Sequence, residues 1–201
     1  MGKNEINEEE RHEAATEEPT TFGKKEAAVD YLQAACLTAN AICRLRDIGY
    51  FEAPASARHH LAHAGGLAEH SVNVADLMLE LGAFREPESA YRVGMLHDLV
   101  KCKCYKPTAT TTFGRAFEWE YVQPPYPGHG VASVMIAHEL GISLTPEETA
   151  AIAWHMGAFS LNERELKEYH AAIRRFPRAI ILTHAADHLA SALEDGRGTR
   201  Q

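Results

Sequence analysis

The sequence predicts an all-α helical bundle with one short irregular or hairpin insertion at about residues 103–127. Apolar residues recur at helical spacing in successive segments, which loops marked by Gly and Pro separate. The stretch YKPTATTTFGRAFEWEYVQPPYP differs, because it is rich in Thr, Tyr, Phe and Trp around a central Gly and is typical of a hairpin or an ordered loop. The 201 residues suffice for one domain with a substantial core, so no second domain is needed.

The helical segments follow one another with few interruptions. KKEAAVDYLQAACLTANAICRLRDIG predicts one long amphipathic helix that ends at Gly49, and a second helix follows Gly65 and runs to Gly82. A third begins in the acidic, proline-containing turn EPES and continues through GMLHDLVK. Beyond the insertion, four more helices are predicted in HGVASVMIAHEL, TPEETAAIAWHMG, NERELKEYHAAIRR and FPRAIILTHAADHLASALED. Thr145 is expected to cap the second of these four, and Pro146 to open it.

The ends of the chain differ from its middle. Residues 1–22 are charged and poor in apolar side chains, which predicts a flexible acidic tail before a domain at 23–195 and a second flexible tail at 196–201. The N-terminus lacks the apolar core of a signal peptide, and no apolar run approaches about 20 residues. We therefore expect a cytoplasmic protein with no membrane partner.

The net charge and the cysteine content limit the possible partners and chemistry of the protein. A formal net charge of −8 argues against binding to extended duplex nucleic acid, which requires basic surfaces. A phosphate-bearing small molecule such as a nucleotide remains a suitable partner, and a homodimer remains open. The four cysteines lack C-x-x-C spacing and are too few for a disulfide scaffold, so reduced thiols are expected.

One apolar segment contains two polar residues that are costly to bury. His97 and Asp98 interrupt GMLHDLVK, and such groups normally need a partner or a metal. Further candidates stand in or at the ends of separate apolar helices: His70, His129, His155 and Asp187. Helical bundles hold metals with side chains from facing helices, so these residues are candidate metal ligands.

The ordered motifs HHLAHAGGLAEHS, MLHDLVK, GHG, AWHMG and HAADHLAS resemble the HD-domain superfamily of metal-dependent phosphohydrolases. They look like the branch of small bacterial and phage HD proteins, which is itself similar to the HD part of a bacterial 3'-5' exoribonuclease. The resemblance implies that one metal is bound by four of the candidates, His70, His97, Asp98 and Asp187. It also implies that His129 and His155 bind a second metal, that Asp98 bridges the two, and that the HD-x-x-K lysine, Lys101, lies near the phosphate.

The residue types agree with that chemistry. Imidazole and carboxylate ligands without thiolates suit one or two divalent ions of Mn, Fe, Co, Ni or Zn and do not choose among them. Lys101 follows His97 by four residues and Asp98 by three, so on a helix all three side chains can face one opening of the metal site. Asp98 and Lys101 are the predicted catalytic residues, with the lysine as a point charge for a phosphate oxygen. Arg58 and His60 are further candidates for phosphate binding, although an exposed cationic loop is equally open.

These observations favour an enzyme that hydrolyses a phosphomonoester or phosphodiester, in a nucleotide or a short nucleic-acid end, with a metal-bound hydroxide. Three alternatives remain. A di-iron oxygenase would use the same scaffold, and a non-catalytic nucleotide sensor would bind without turnover. An RNA-processing module that depends on a partner is disfavoured by the acidic charge.

Overall fold

The structure, a computed structural model, describes residues 21–108, 111–112, 115–116, 119–159 and 161–198. Within these residues the chain forms eight α-helices: α1 Thr21–Ala34, α2 Ala39–Asp47, α3 Gly66–Glu80, α4 Pro87–Leu96, α5 His129–Glu139, α6 Pro146–Trp154, α7 Glu163–Arg175 and α8 Pro177–Gly198. A 3₁₀ helix spans Leu99–Lys103, and four short strands follow it: β1 Tyr105–Pro107, β2 Thr111–Thr112, β3 Arg115–Ala116 and β4 Trp119–Tyr121. The predicted all-α class is confirmed.

Helix α3 lies at the centre of the bundle and packs against α1, α4 and α8, while α6 packs against α5 and α8. The core between them consists of fully buried aliphatic side chains such as Leu67, Met95 and Leu96. Tyr50 is also fully buried there, and its hydroxyl donates a hydrogen bond to the Met95 carbonyl at 2.8 Å, so its burial leaves no unpaired donor. This packing brings the inner faces of α3, α6 and α8 together.

The prediction of one long first helix is wrong, because the segment divides into α1 and α2. Helix α1 ends at Ala34, Cys36 adopts a left-handed conformation with φ 58°, and the Thr38 hydroxyl accepts a hydrogen bond from the Ala41 amide. A threonine cap of this kind starts a new helix. Apolar spacing did not reveal the break, because both helices turn their apolar residues toward the same core.

The third predicted helix also ends earlier than its pattern indicates. Helix α4 stops at Leu96, and the chain continues as a 3₁₀ helix from Leu99, with Asp98 between them at φ −109° and ψ 20°. The Lys101 amide donates to the Asp98 carbonyl at 2.9 Å, which is the tighter winding of a 3₁₀ turn. The His-Asp pair therefore lies at a junction between two helices and not inside one.

The insertion is a hairpin. Strands β1 and β4 pair antiparallel, with Lys106 opposite Glu120, and β2 pairs with β3 closer to the tip. The remaining insertion residues at 109–110, 113–114 and 117–118 lie outside the described residues.

The capping prediction for α6 is confirmed, since Thr145 accepts a hydrogen bond from the Glu148 amide and Pro146 is the first helical residue. At the ends of the chain, α1 begins at Thr21, inside the predicted tail, and α8 extends to Gly198, beyond residue 195. The rest of the predicted tails, 1–20 and 199–201, falls outside the described residues. None of the described helices has the length and apolar character needed to cross a membrane.

Candidate metal centre

The six predicted ligands come together from five parts of the bundle. His70 lies on α3, Asp187 on α8, and His97 and Asp98 at the junction between α4 and the 3₁₀ helix, while His129 begins α5 and His155 directly follows α6. Their ligand atoms form two groups, each within 4.8 Å: His70, His97, Asp98 and Asp187 in the first, and Asp98, His129 and His155 in the second. Asp98 belongs to both.

His97 and His155 reach the cluster by the same local device. Each directly follows the last residue of a helix, and its Nδ1 bonds the carbonyl three residues back, Gly94 at 2.8 Å and Ile152 at 2.7 Å. That bond places the proton on Nδ1 and turns Nε2 inward. Both Nε2 atoms are buried and make no hydrogen bond. An unpaired nitrogen is costly in a dry interior, so two of them facing one carboxylate fit metal ligands.

The two oxygens of Asp98 face different groups. Oδ2 lies 3.3 Å from His97 Nε2 and 3.8 Å from His70 Nε2, whereas Oδ1 lies 2.6 Å from His129 Nε2 and 3.5 Å from His155 Nε2. Asp187 completes the first group, with Oδ1 at 3.1 Å from His70 Nε2. A carboxylate split in this way is suited to bridging two cations.

Opposite charges inside the cluster shift its pKa values strongly. Burial opposes ionisation of Asp98, but Lys101 and His97 hold the pKa of that carboxyl well below its usual range. Burial likewise disfavours protonated His97, yet Asp98 and Asp187 outweigh it and raise the pKa of that imidazole to about 10, so a metal ion bound there would replace the proton on Nε2. Burial lowers the pKa of His155, which has the weaker contact with Asp98. The buried carboxylates are thus ionised and attract positive charge.

The cluster is partly open to solvent. The side chains of His70, His97 and His155 are completely buried, whereas those of His129, Asp187 and Lys101 are 30%, 16% and 13% exposed. Lys101 Nζ lies 2.6 Å from Asp98 Oδ2 at this opening. The predicted lysine therefore contacts the shared carboxylate directly.

The two remaining predicted residues, Arg58 and His60, lie on the loop before α3. The His60 ring is half-buried with its centroid 5.2 Å from that of His70, and its Nε2 is buried without a hydrogen bond. Arg58 is exposed. Gly66 lets this loop approach, because a Cβ there would collide with the Leu61 carbonyl.

Sequence reasoning missed Glu194. This α8 residue has a side chain only 2% exposed, and its Oε2 lies 2.9 Å from His70 Nδ1. Asn73 donates to its Oε1 at 2.7 Å. Its position in the sequence offered one signal: Glu194 stands seven residues after Asp187, which is two helical turns along the same face.

A family model for the HD domain matches residues 67–192, more than half of the chain. The chain belongs to the HD domain family. The matched range contains all six predicted ligands and Lys101 but not Glu194 or the loop with Arg58 and His60. No match was found among curated proteins or among solved structures. HD domains bind divalent metals and generally include metal-dependent hydrolases, which supports an enzyme with a metal centre.

Proposed function

We propose that this HD domain protein is a phosphohydrolase that cleaves a phosphomonoester or phosphodiester in a nucleotide or a short nucleic-acid end. The observation that carries the proposal is that the two carboxylate oxygens of Asp98 face two different groups of imidazoles. A pair of cations at such a bridge is the arrangement that clamps the attacking and leaving oxygens of an in-line displacement.

The donor set fits divalent transition metals. It contains imidazole and carboxylate groups, two of its nitrogens are buried without hydrogen bonds, and its carboxylates are ionised. His70, His97, Asp98 and Asp187 would hold one ion, and Asp98, His129 and His155 a second. Such ions lower the pKa of a coordinated water and polarise a phosphoryl oxygen.

The protein's own groups account for substrate choice. Lys101 lies at the open side of the cluster, where its ammonium group can meet a phosphate oxygen as a point charge. Asp98 holds that ammonium in place at 2.6 Å. The net charge of −8 favours a compact phosphate compound over a long polyanion, which supports a nucleotide or a short end as substrate.

The test combines metal analysis with a substrate panel. Purified protein should contain Mn, Fe, Co, Ni or Zn and hydrolyse at least one of p-nitrophenyl phosphate, bis-p-nitrophenyl phosphate, nucleotides or short oligonucleotides. Asp98→Asn should lose metal and activity together, whereas replacing the exposed α7 histidine, His170→Ala, should change neither. Nucleotide binding without turnover by metal-loaded protein would contradict the proposed reaction, and metal-dependent oxygen uptake would favour an oxygenase.

The number of metals is tested at His129. His129→Ala removes a donor from the second group and leaves the first group intact, so metal content should fall by about one equivalent. Elemental analysis of protein saturated with Mn²⁺ measures this. Equal stoichiometry in the parent and the variant would mean that His129 holds no ion.

A further inference from the structure

Both nitrogens of the His70 imidazole lie within hydrogen-bond distance of a carboxylate. Nε2 faces the cluster, 3.1 Å from Asp187 Oδ1, and Nδ1 lies 2.9 Å and 3.2 Å from the two oxygens of Glu194. The Glu194 side chain is only 2% exposed, so this contact is shielded from water. Glu194 fixes a proton on Nδ1, so an ion bound at Nε2 would take the place of the contact between Nε2 and Asp187 Oδ1.

The other two buried imidazoles have weaker hydrogen-bond partners at Nδ1. His97 and His155 donate from Nδ1 to the backbone carbonyls of Gly94 and Ile152, which are neutral acceptors. A carboxylate partner makes an imidazole a more basic ligand than a carbonyl does, and it fixes the ring more firmly. Among these three buried histidines, His70 should therefore be the strongest metal ligand.

We infer that Glu194 is a positioning residue that raises the metal affinity of the first group, so that this group binds its ion before the second. The inference rests on the proposed metal centre. Among the residues that the structure describes, the second group has no comparable support, because His155 donates to a backbone carbonyl and the His129 side chain is 30% exposed. Asn73 assists by holding the other oxygen of Glu194 at 2.7 Å.

A competing role for Glu194 is direct ligation. The His60, His70 and Glu194 side chains also offer ligand atoms within 4.8 Å of one another. That arrangement would require His70 to use Nδ1 for an ion and give up its bond to Glu194. It predicts that His60→Ala and Glu194→Gln each remove a bound ion, whereas the positioning role predicts that neither does.

The experiment titrates metal-stripped protein with Co²⁺ against a competing chelator and records the cobalt absorption bands. Glu194→Gln keeps an acceptor for Nδ1 but removes the charge, so the first Co²⁺ should bind about 10- to 100-fold more weakly while the second is unchanged. Its cobalt bands should shift, and stoichiometry should stay as in the parent. Glu168→Gln, at a half-exposed glutamate of α7, is the matched control and should leave both affinities unchanged.

The results that would overturn the inference differ from those that would support it. An unchanged first affinity in Glu194→Gln would overturn the inference, and so would the loss of one equivalent in Glu194→Gln or His60→Ala. A melting temperature of the stripped Glu194→Gln protein equal to that of the stripped parent shows that the weaker binding does not come from a damaged fold. If the parent itself binds no Co²⁺, the proposed metal centre fails, which is a different result.

Discussion

At the scale of single residues, Asp98 organises the centre. Four imidazoles and one ammonium group approach its two oxygens, and the closest contacts, at 2.6 Å, are from Lys101 and His129. A carboxylate buried to this degree is tolerated because opposite charge surrounds it. Oδ2 faces Lys101 as well as His70 and His97 of the first group, so the ammonium group would compete with an ion held by that group for the charge of Asp98.

Lys101→Met tests what the ammonium group does. The variant removes a competitor for Asp98 Oδ2, so metal content should be retained at the level of the parent. It also removes a preorganised charge at the opening of the cluster, where it would meet the phosphate, and hydrolysis should fall about a hundredfold, equivalent to about 3 kcal/mol. Elemental analysis and the rate on one responsive phosphoester measure the two effects. A parental rate with metal intact would leave Lys101 only a charge partner of Asp98.

The residues that sequence analysis found and missed differ in a physical way. His70, His97, Asp98, His129, His155 and Asp187 are visible because polar groups in apolar helices need a reason to be there. Glu194 stands near the end of α8 among charged residues, EDGR, where a glutamate resembles a solvated helix end. The spacing from Asp187 places Glu194 on the same face of α8, and the packing of α8 against α3 shows that its side chain contacts His70.

At the scale of elements, apolar spacing predicted which segments are helical and did not predict where they break. The boundaries at Ala34 and Leu96 depend on a threonine cap and on the local bond of His97 to Gly94, and neither changes the apolar pattern. The cap at Thr145 was found, because its proline and two acidic residues form a recognisable start signal. Break points set by single side chains are thus the least visible part of this fold.

Arg92 joins three helices. Arg92 lies on α4. Its guanidinium donates to the carbonyl of Ala35, the residue directly after α1, at 2.8 Å and to Glu148 of α6 at 2.7 Å. Glu148 is completely buried, and its other oxygen accepts from the Thr145 amide at 2.8 Å. Removing the arginine would leave a buried carboxylate without its cation.

We therefore expect Arg92→Met to lower the free energy of unfolding by about 3 kcal/mol, measured by urea denaturation. The matched control is Arg164→Met, which removes an arginine from an exposed pair with Glu168 on α7 and should change the free energy little. Metal content should be the same in both variants, since neither arginine belongs to the ligand groups. Equal stability of the two variants would mean that the junction of α1, α4 and α6 does not depend on this ion pair.

At the scale of the whole molecule, the candidate ligands come from elements that are distant in sequence. The first group links α3, the end of α4 and α8, and the second links the same junction to α5 and to the end of α6. An ion bound by such ligands stabilises the folded state, because the unfolded chain does not hold the ligands together.

Removal of metal should consequently destabilise the whole domain. At a free metal concentration about 100 times the Kd, binding contributes about 2.7 kcal/mol, which corresponds to a fall in Tm of about 5 to 10 °C for a domain of this size once the metal is stripped. The measurement compares melting curves before and after EDTA treatment and dialysis, with metal loss verified by elemental analysis and Tm restored by Mn²⁺. Asp98→Asn is the control, because a protein without the shared ligand should respond to neither EDTA nor Mn²⁺. If the parent loses its metal and keeps its Tm, the packing of α3, α4, α6 and α8 alone holds the bundle together, and the ligands contribute to the site without contributing to the fold.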